Sequence, residues 1–267
     1  MRICVCGLGK VGRPILQMLR TKGIEAVGYD IDPKLSELSA VDAVKKSDAA
    51  IFIVPTPSLP DGAFSNVYLY AALQQFKRNA DAQKKSDYLY IVSSTTVPGS
   101  CEGFRSMVGD NIVYKPEFIR LEHVQLDLVS TMYVLIGSAS QEAGDRCEKL
   151  YRKLYSAPVA RMSLTEAELA KITLNCALTM KISLANQLHL VAEKMGCDSK
   201  KIMGLVSLDP RIGGAYLEPG RPYEGPCLPR DNRMFRYVAK KLGVNAALSK
   251  GADEINEVME WKCGVKK

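Results

Sequence analysis

Over roughly the first 160 positions, apolar residues come in short unbroken runs, and most of these are separated by stretches with helical spacing. The first run, in "RICVCGLG", ends in glycine, and "GKVGRPILQMLRTKG" then repeats apolar positions at the helical interval up to Gly23. This order predicts a strand, a tight turn and a helix. Further strands are predicted at "EAVGYD", "AAIFIVP", "YLYIVSST", "NIVYKPE" and "YVLIGS", with helical stretches such as "VYLYAALQQFKRNA" between them. Alternation of this kind predicts an α/β fold, a Rossmann-type doubly wound parallel sheet over residues 1–160.

From residue 163 the pattern changes. "SLTEAELAKITLNCALTMKISLANQLHLVAEKMG" holds no proline, opens with Ser163 three before Glu166 as a capping box, and stops at Gly196. One helix of about 45 Å is expected at 1.5 Å per residue. Short helices, a loop around Cys227 and two final helices, "NRMFRYVAKKLG" and "NAALSKGADEINEVMEW", complete an all-α domain expected over residues 161–267. A helix this long carries more apolar surface, at Leu174, Leu178, Ile182 and Leu188, than a small domain can cover, so a homodimer built on it is expected.

Composition narrows the class. With 267 residues, 47% apolar and 24% charged, the chain reads as an ordinary soluble globular protein of one large or two small domains. Its longest apolar run is too short to span a bilayer, and no basic leader precedes an apolar segment, so a cytoplasmic protein is expected. Eight cysteines without CxxC pairs fit reduced thiols and argue against a zinc site. The net charge of +7 is dispersed, which suits an anionic ligand but not nucleic acid.

Gly7, Gly9 and Gly12 form GxGxxG between a predicted strand and helix, and Asp30 ends the second strand. Glycines let the backbone approach a pyrophosphate at a helix N-terminus, and the carboxylate accepts from a ribose diol. The pattern predicts a dinucleotide site, and Asp30 would repel a 2′-phosphate, so NAD is favoured over NADP. Hydride transfer needs a group that handles a proton. The two histidines are poor candidates: His189 lies among Leu188, Leu190 and Val191, and His123 in a polar loop. Lys171 and Asn175, one helical turn apart, could stabilise an oxyanion or form a solvated face. Cys227, in "YEGPCLPRD", stands between prolines with Arg230 and Asp231 close by, and reads either as a structural loop cysteine or as a nucleophile.

Taken together, "GLGKVGRP", "GYDID", "VPTPSLPDG", "SSTTVPGS", "KPEF", "AELAKITLNCALTMKISLANQ", "LDPRIGGAYLEPG" and "YEGPCLPRD" resemble, in order and spacing, the UDP-glucose/GDP-mannose dehydrogenases. The resemblance runs from about residue 2 to residue 260. It implies NAD-dependent oxidation of the C6 alcohol of a nucleotide sugar to a uronic acid, through a thioester on a cysteine. It makes Cys227 the nucleophile, Lys171 and Asn175 the oxyanion stabilisers, Asp231 and Thr96 the groups that orient water, and Glu117 the group that assists hydrolysis. Cofactor contacts are implied at Lys10, Val11, Lys34, Pro55, Thr56 and Thr96 besides Gly7, Gly9, Gly12 and Asp30. Substrate contacts are implied at Glu117, Phe118, Lys171, Asn175, Tyr216 and Gly225, with Arg211 reaching a neighbouring subunit's substrate.

The chain also departs from that family. Glu224 and Pro226 replace a glycine and a serine beside the cysteine, Leu228 an aromatic and Arg230 a lysine. Glu218 stands where Asn or Lys is usual, Lys115 where Asn is usual, and "RLEHVQ" in place of a small-residue stretch. The resemblance further leads one to expect a third, nucleotide-binding domain after the last helix, and the sequence reads as a short form without it. Two other readings remain at this level: a two-electron dehydrogenase of the 6-phosphogluconate and β-hydroxyacid type, which needs no cysteine, and a non-catalytic NAD-binding module.

Overall fold

The computed structural model describes residues 1–120 and 123–265. Part of "RLEHVQ" and the last two positions of the expected second domain lie outside the described residues. The chain forms two compact units, residues 1–57 with 64–171 and residues 58–63 with 172–267. The division thus falls inside the long helix, where the sequence placed a boundary near residue 160.

In the first unit, β1 (Ile3–Cys6), β2 (Ala26–Tyr29), β3 (Ala49–Phe52), β4 (Leu89–Val92), β5 (Ile112–Tyr114), β6 (Val134–Ser138) and β7 (Val159–Met162) make one sheet in the order β2-β1-β3-β4-β5-β6-β7. The apolar runs are strands because both faces are covered. Ile3, Val5, Ile51, Ile91 and Val113 pack on one face with Ile15, Leu16 and Leu19 of α1 (Gly12–Thr21) and Leu150 and Tyr151 of α6 (Gln141–Leu154). The alternate residues Cys4, Cys6, Ala50, Phe52, Tyr90 and Val92 pack on the other face against α2 (Ala40–Lys46), α3 (Val67–Ala82) and α4 (Ser100–Val108). Each fully buried aliphatic or aromatic side chain contributes about 1.5–3 kcal/mol.

Two expectations are corrected. The sheet is not wholly parallel: β5 and β6 run antiparallel, with Val113 opposite Ser138 and Tyr114 opposite Gly137. Among the described residues, the connection between them holds only the six-residue α5 (Val124–Val129), not a full crossover helix of the kind parallel pairing requires. The seventh strand, β7, was not foreseen because its "VARM" carries no apolar run and lies at the sheet edge, half-exposed.

The long helix α7 spans Leu164–Lys194, 31 residues. Its capping box is present: Ser163 Oγ accepts from the Glu166 N–H at 3.3 Å, and the Glu166 carboxylate accepts from the Ser163 N–H at 2.8 Å. Leu164 and Ala167 are buried in the second face cluster, which explains why its first turns belong to the first unit. The second unit adds α8 (Ser199–Val206), α9 (Leu228–Lys241) and α10 (Ala247–Lys262), with a small apolar cluster of Ala185, Met203 and Leu217. Among the described residues no helix is long and apolar enough to cross a membrane.

Candidate active site

The candidate residues of the first unit gather at the carboxyl ends of β1 to β5. Gly7 follows β1 with φ +99°, and a Cβ there would lie 2.2 Å from the Ile53 carbonyl oxygen. Gly12 opens α1 and presses on the turn itself: its Cβ would meet Gly7 O at 1.8 Å. Around Gly9, by contrast, nothing lies within 4 Å of where a Cβ would stand. The α1 N-cap, Val11, offers no side-chain cap, and Lys10 is exposed. One glycine therefore makes the turn, one lets helix and strand approach, and one leaves open space at a positive helix end, the division of labour of a dinucleotide turn.

Asp30, just past β2, holds the same turn. One carboxylate oxygen accepts from the Leu8 N–H at 2.6 Å and the other from the Asp32 N–H at 2.9 Å. Lys34 is exposed beyond it. After β3, Pro55 is exposed, while Thr56 is buried and donates its hydroxyl to Thr95 O at 2.8 Å.

Thr96 is fully enclosed and donates to Glu168 Oε1 at 2.7 Å. Its single proton is thus committed. Glu168, on α7, also accepts from the N–H groups of Gly99 at 2.7 Å and Cys101 at 3.0 Å, at the amino end of α4. Burial pushes its carboxyl above the ordinary value, and these hydrogen bonds oppose that rise. Sequence reasoning gave Glu168 no role. The signal was there: an acid in the stripe of Leu164, Ala167 and Lys171, where a core-facing residue would be apolar.

After β5 stands a buried ion pair. Lys115 Nζ lies 2.6 Å from Glu117 Oε2, with side-chain exposures of 3% and 10%. The ammonium also stands 4.4 Å from the Tyr151 ring centroid. Lys171 Nζ stands 4.6 Å from the centroid of Phe118, whose ring meets Tyr133 edge-on at 5.0 Å.

In the second unit Asn175 Nδ2 donates to Asp231 Oδ2 at 2.6 Å, and both are buried. The structure corrects the start of the next helix. α9 begins at Leu228, not Asn232, because Pro229 is tolerated in a first turn. Cys227 becomes its N-cap, exposed, with its carbonyl accepting from the Asp231 N–H at 2.9 Å. Arg230 is half-buried, and burial lowers its guanidinium below the ordinary value against the pull of Asp231 and Cys227. The loop before Cys227 is pinned at its base. Asn186 accepts from the Gly220 N–H at 2.9 Å and donates to Arg221 O at 2.7 Å, and Asn256 accepts from the Tyr223 N–H at 2.6 Å. The Tyr223 hydroxyl donates to Asp253, which also pairs with Arg236. None of these pinning residues is marked in the sequence, since the partners of Asn186 and Asn256 lie more than thirty positions away. Gly225 and Tyr216 are exposed, and Arg211 is exposed with its guanidinium on Asp209 at 2.6 Å. Among the described residues no cluster could hold a metal ion.

Comparison with known proteins now bears on this geometry. The model of the UDP-glucose/GDP-mannose dehydrogenase family's NAD binding domain matches residues 34–155, and that of its central domain residues 165–258. The chain belongs to this family. Most of the residues matched by the NAD binding domain model lie in the first unit. A GDP-mannose 6-dehydrogenase of Pseudomonas syringae pv. syringae is 28% identical over 93% of this chain, and the chain spans 66% of that protein. A UDP-glucose 6-dehydrogenase of Haloferax volcanii is 27% identical over 96% of this chain and 70% of its own length. A UDP-glucose dehydrogenase structure from Pyrobaculum islandicum superposes with a TM-score of 0.88 at 28% identity, covering 98% of this chain and 71% of that one. The family member described here therefore spans about two thirds of the length of the relatives it matches.

Proposed function

We propose that this family member oxidises the C6 alcohol of a nucleotide sugar of the UDP-glucose kind to a uronic acid, with NAD and through a thioester on Cys227. The observation that carries the reading is the Asn175–Asp231 hydrogen bond, because it fixes an amide of α7 to the first turn of the helix that Cys227 caps. NAD, when bound, accepts the hydride at each oxidation. The glycine turn, Asp30, Lys34, Pro55 and Thr56 would hold it.

Lys171 and Asn175 would stabilise the alkoxide of the alcohol and the oxyanion formed later. The Cys227 sulfur would add to the aldehyde carbon, and a second oxidation of that thiohemiacetal would leave a thioester, so that one hard oxidation becomes two easier ones. Asp231 would orient the water that cleaves it. Thr96, enclosed with its proton on Glu168, would serve that water only as an acceptor and only in a state that opens it. Glu117, Phe118, Tyr216 and Gly225 remain the substrate residues of the reading, and Arg211 the residue offered to a partner's substrate. The same reading makes the protein a cytoplasmic homodimer. Support for dimerisation comes from Leu184 and Val191 of α7, which are 57% and 51% exposed, whereas Leu174, Leu178, Ile182 and Leu188 are half-buried.

The test is to count NADH against acid formed across UDP-, GDP- and free sugars. Two NADH per acid, with turnover abolished in Cys227→Ser, is expected. A ratio of one with normal activity in Cys227→Ser would move the chain to the two-electron dehydrogenases, and absence of turnover with intact NAD binding would make it a binding module.

A further inference from the structure

The segment 58–63, between β3 and α3, belongs to the second unit although the chain on either side of it belongs to the first. It is a stiff hairpin. Pro57 and Pro60 restrict its backbone, Leu59 N–H donates to Ala63 O at 2.8 Å, and Asp61 accepts from the Ala63 N–H at 3.1 Å. Its base is closed by the Ser65 N–H on Pro57 O at 2.8 Å. Its tip lies on α9. Gly62, at φ +94°, is so close that a Cβ would stand 3.1 Å from Arg233 O and 3.6 Å from Tyr237 Cβ. The same hairpin follows directly on Pro55 and Thr56, and the same helix carries Cys227 at its cap and Asp231 in its first turn.

We propose that this hairpin is a mechanical link through which occupancy of the dinucleotide site changes the reactivity of Cys227, with Gly62 as its positioning residue. The inference rests on the reading of Pro55 and Thr56 as cofactor residues. A displacement of that pair by a ligand cannot be absorbed in a hairpin closed by two prolines and three hydrogen bonds, so it passes to the contact at Gly62. There the backbone of α9 is met without an intervening side chain, so little slack remains.

Alkylation of Cys227 by iodoacetamide reads this without any turnover, followed by peptide mass, with the other exposed thiols, Cys197 and Cys263, as internal references. In the wild type, saturating NAD should change the Cys227 rate by about fivefold or more, the low end of measured site-to-site couplings. Two variants act by opposite physics. Gly62→Val wedges the contact, and Pro60→Gly with Asp61→Ala slackens the hairpin. Both should keep NAD affinity and abolish the NAD effect on Cys227, while Cys197 and Cys263 stay unchanged. An NAD effect of wild-type size in both variants, or none in the wild type despite bound NAD, would overturn the link. If no NAD binds, the cofactor reading fails separately, and hydrogen exchange decides the mechanical part. Faster exchange in the first turn of α9 of Gly62→Val supports the link, and unchanged exchange overturns it.

Discussion

Gly9 and Gly12 both belong to the glycine turn, yet alanine should act on them in different ways. At Gly12 the added Cβ would fall 1.8 Å from Gly7 O and 3.5 Å from Val5 Cγ1. Reaching even a strained 3.0 Å contact requires the backbone of α1 to move by more than about 1 Å, and forcing extra volume into a packed site of this kind costs about 1–3 kcal/mol. For a unit of this size such a loss lowers the melting temperature by roughly 2–4 °C per kcal/mol, so a fall of about 2–12 °C is expected. At Gly9 nothing within the protein meets the Cβ. Gly9→Ala should melt within about 2 °C of the wild type, the range of a surface substitution. Its cost should appear only with ligand, where the methyl occupies the space of the pyrophosphate, as a loss of about tenfold or more in NAD affinity, equivalent to about 1.4 kcal/mol. Differential scanning fluorimetry without ligand and calorimetric titration with NAD separate the two. Equal destabilisation of the two variants without ligand, or an NAD affinity untouched in Gly9→Ala, would refute the assignment of packing to one glycine and ligand approach to the other.

Asp30→Asn keeps an oxygen for the Leu8 N–H but loses the charge, so it should weaken NAD and relax discrimination against NADP, whereas Asp30→Gly should also loosen the turn. Comparable wild-type affinities for NAD and NADP would contradict this. The raised carboxyl of Glu168 makes a signed statement about pH. The folded state holds that proton more tightly than the unfolded chain does, so the group's contribution to stability is complete below the ordinary carboxylate value of 4.5 and is lost as pH rises through the higher folded value. Urea denaturation should show the wild type losing stability relative to Glu168→Gln as pH rises from 4.5, and a flat or opposite difference would refute it. Sedimentation at micromolar concentration should show a dimer, and Leu184→Glu with Val191→Glu should give a folded monomer.

The sheet and the long helix were legible because each depends on local pattern. Runs such as "AAIF" and "LYIV" are buried on both faces, and the Ser163–Glu166 box with Gly196 frames α7 within its own sequence. The glycine turn was legible for the same reason. What could not be read depends on distant partners. Nothing near Glu168 in the chain announces that Gly99 and Cys101 would supply its donors, and Asn186 and Asn256 look like ordinary helical polar residues until Gly220 and Tyr223 are placed against them. The antiparallel β6 was hidden because strand direction is set by the length of the crossover and leaves no mark in the strand itself. Cys227 was visible as an anomaly, but its place at a helix cap was not, since Pro229 reads as readily as a loop residue.

The ion pair of Lys115 and Glu117 ties together what these two positions can tolerate. Lys115→Ala alone leaves a nearly buried carboxylate without its cation, a cost of about 3–5 kcal/mol. The lysine alone on a background without the acid is stranded in the same way. Any substitution at position 115 is therefore felt through Glu117, and any at position 117 through Lys115, whatever either residue does in the reaction.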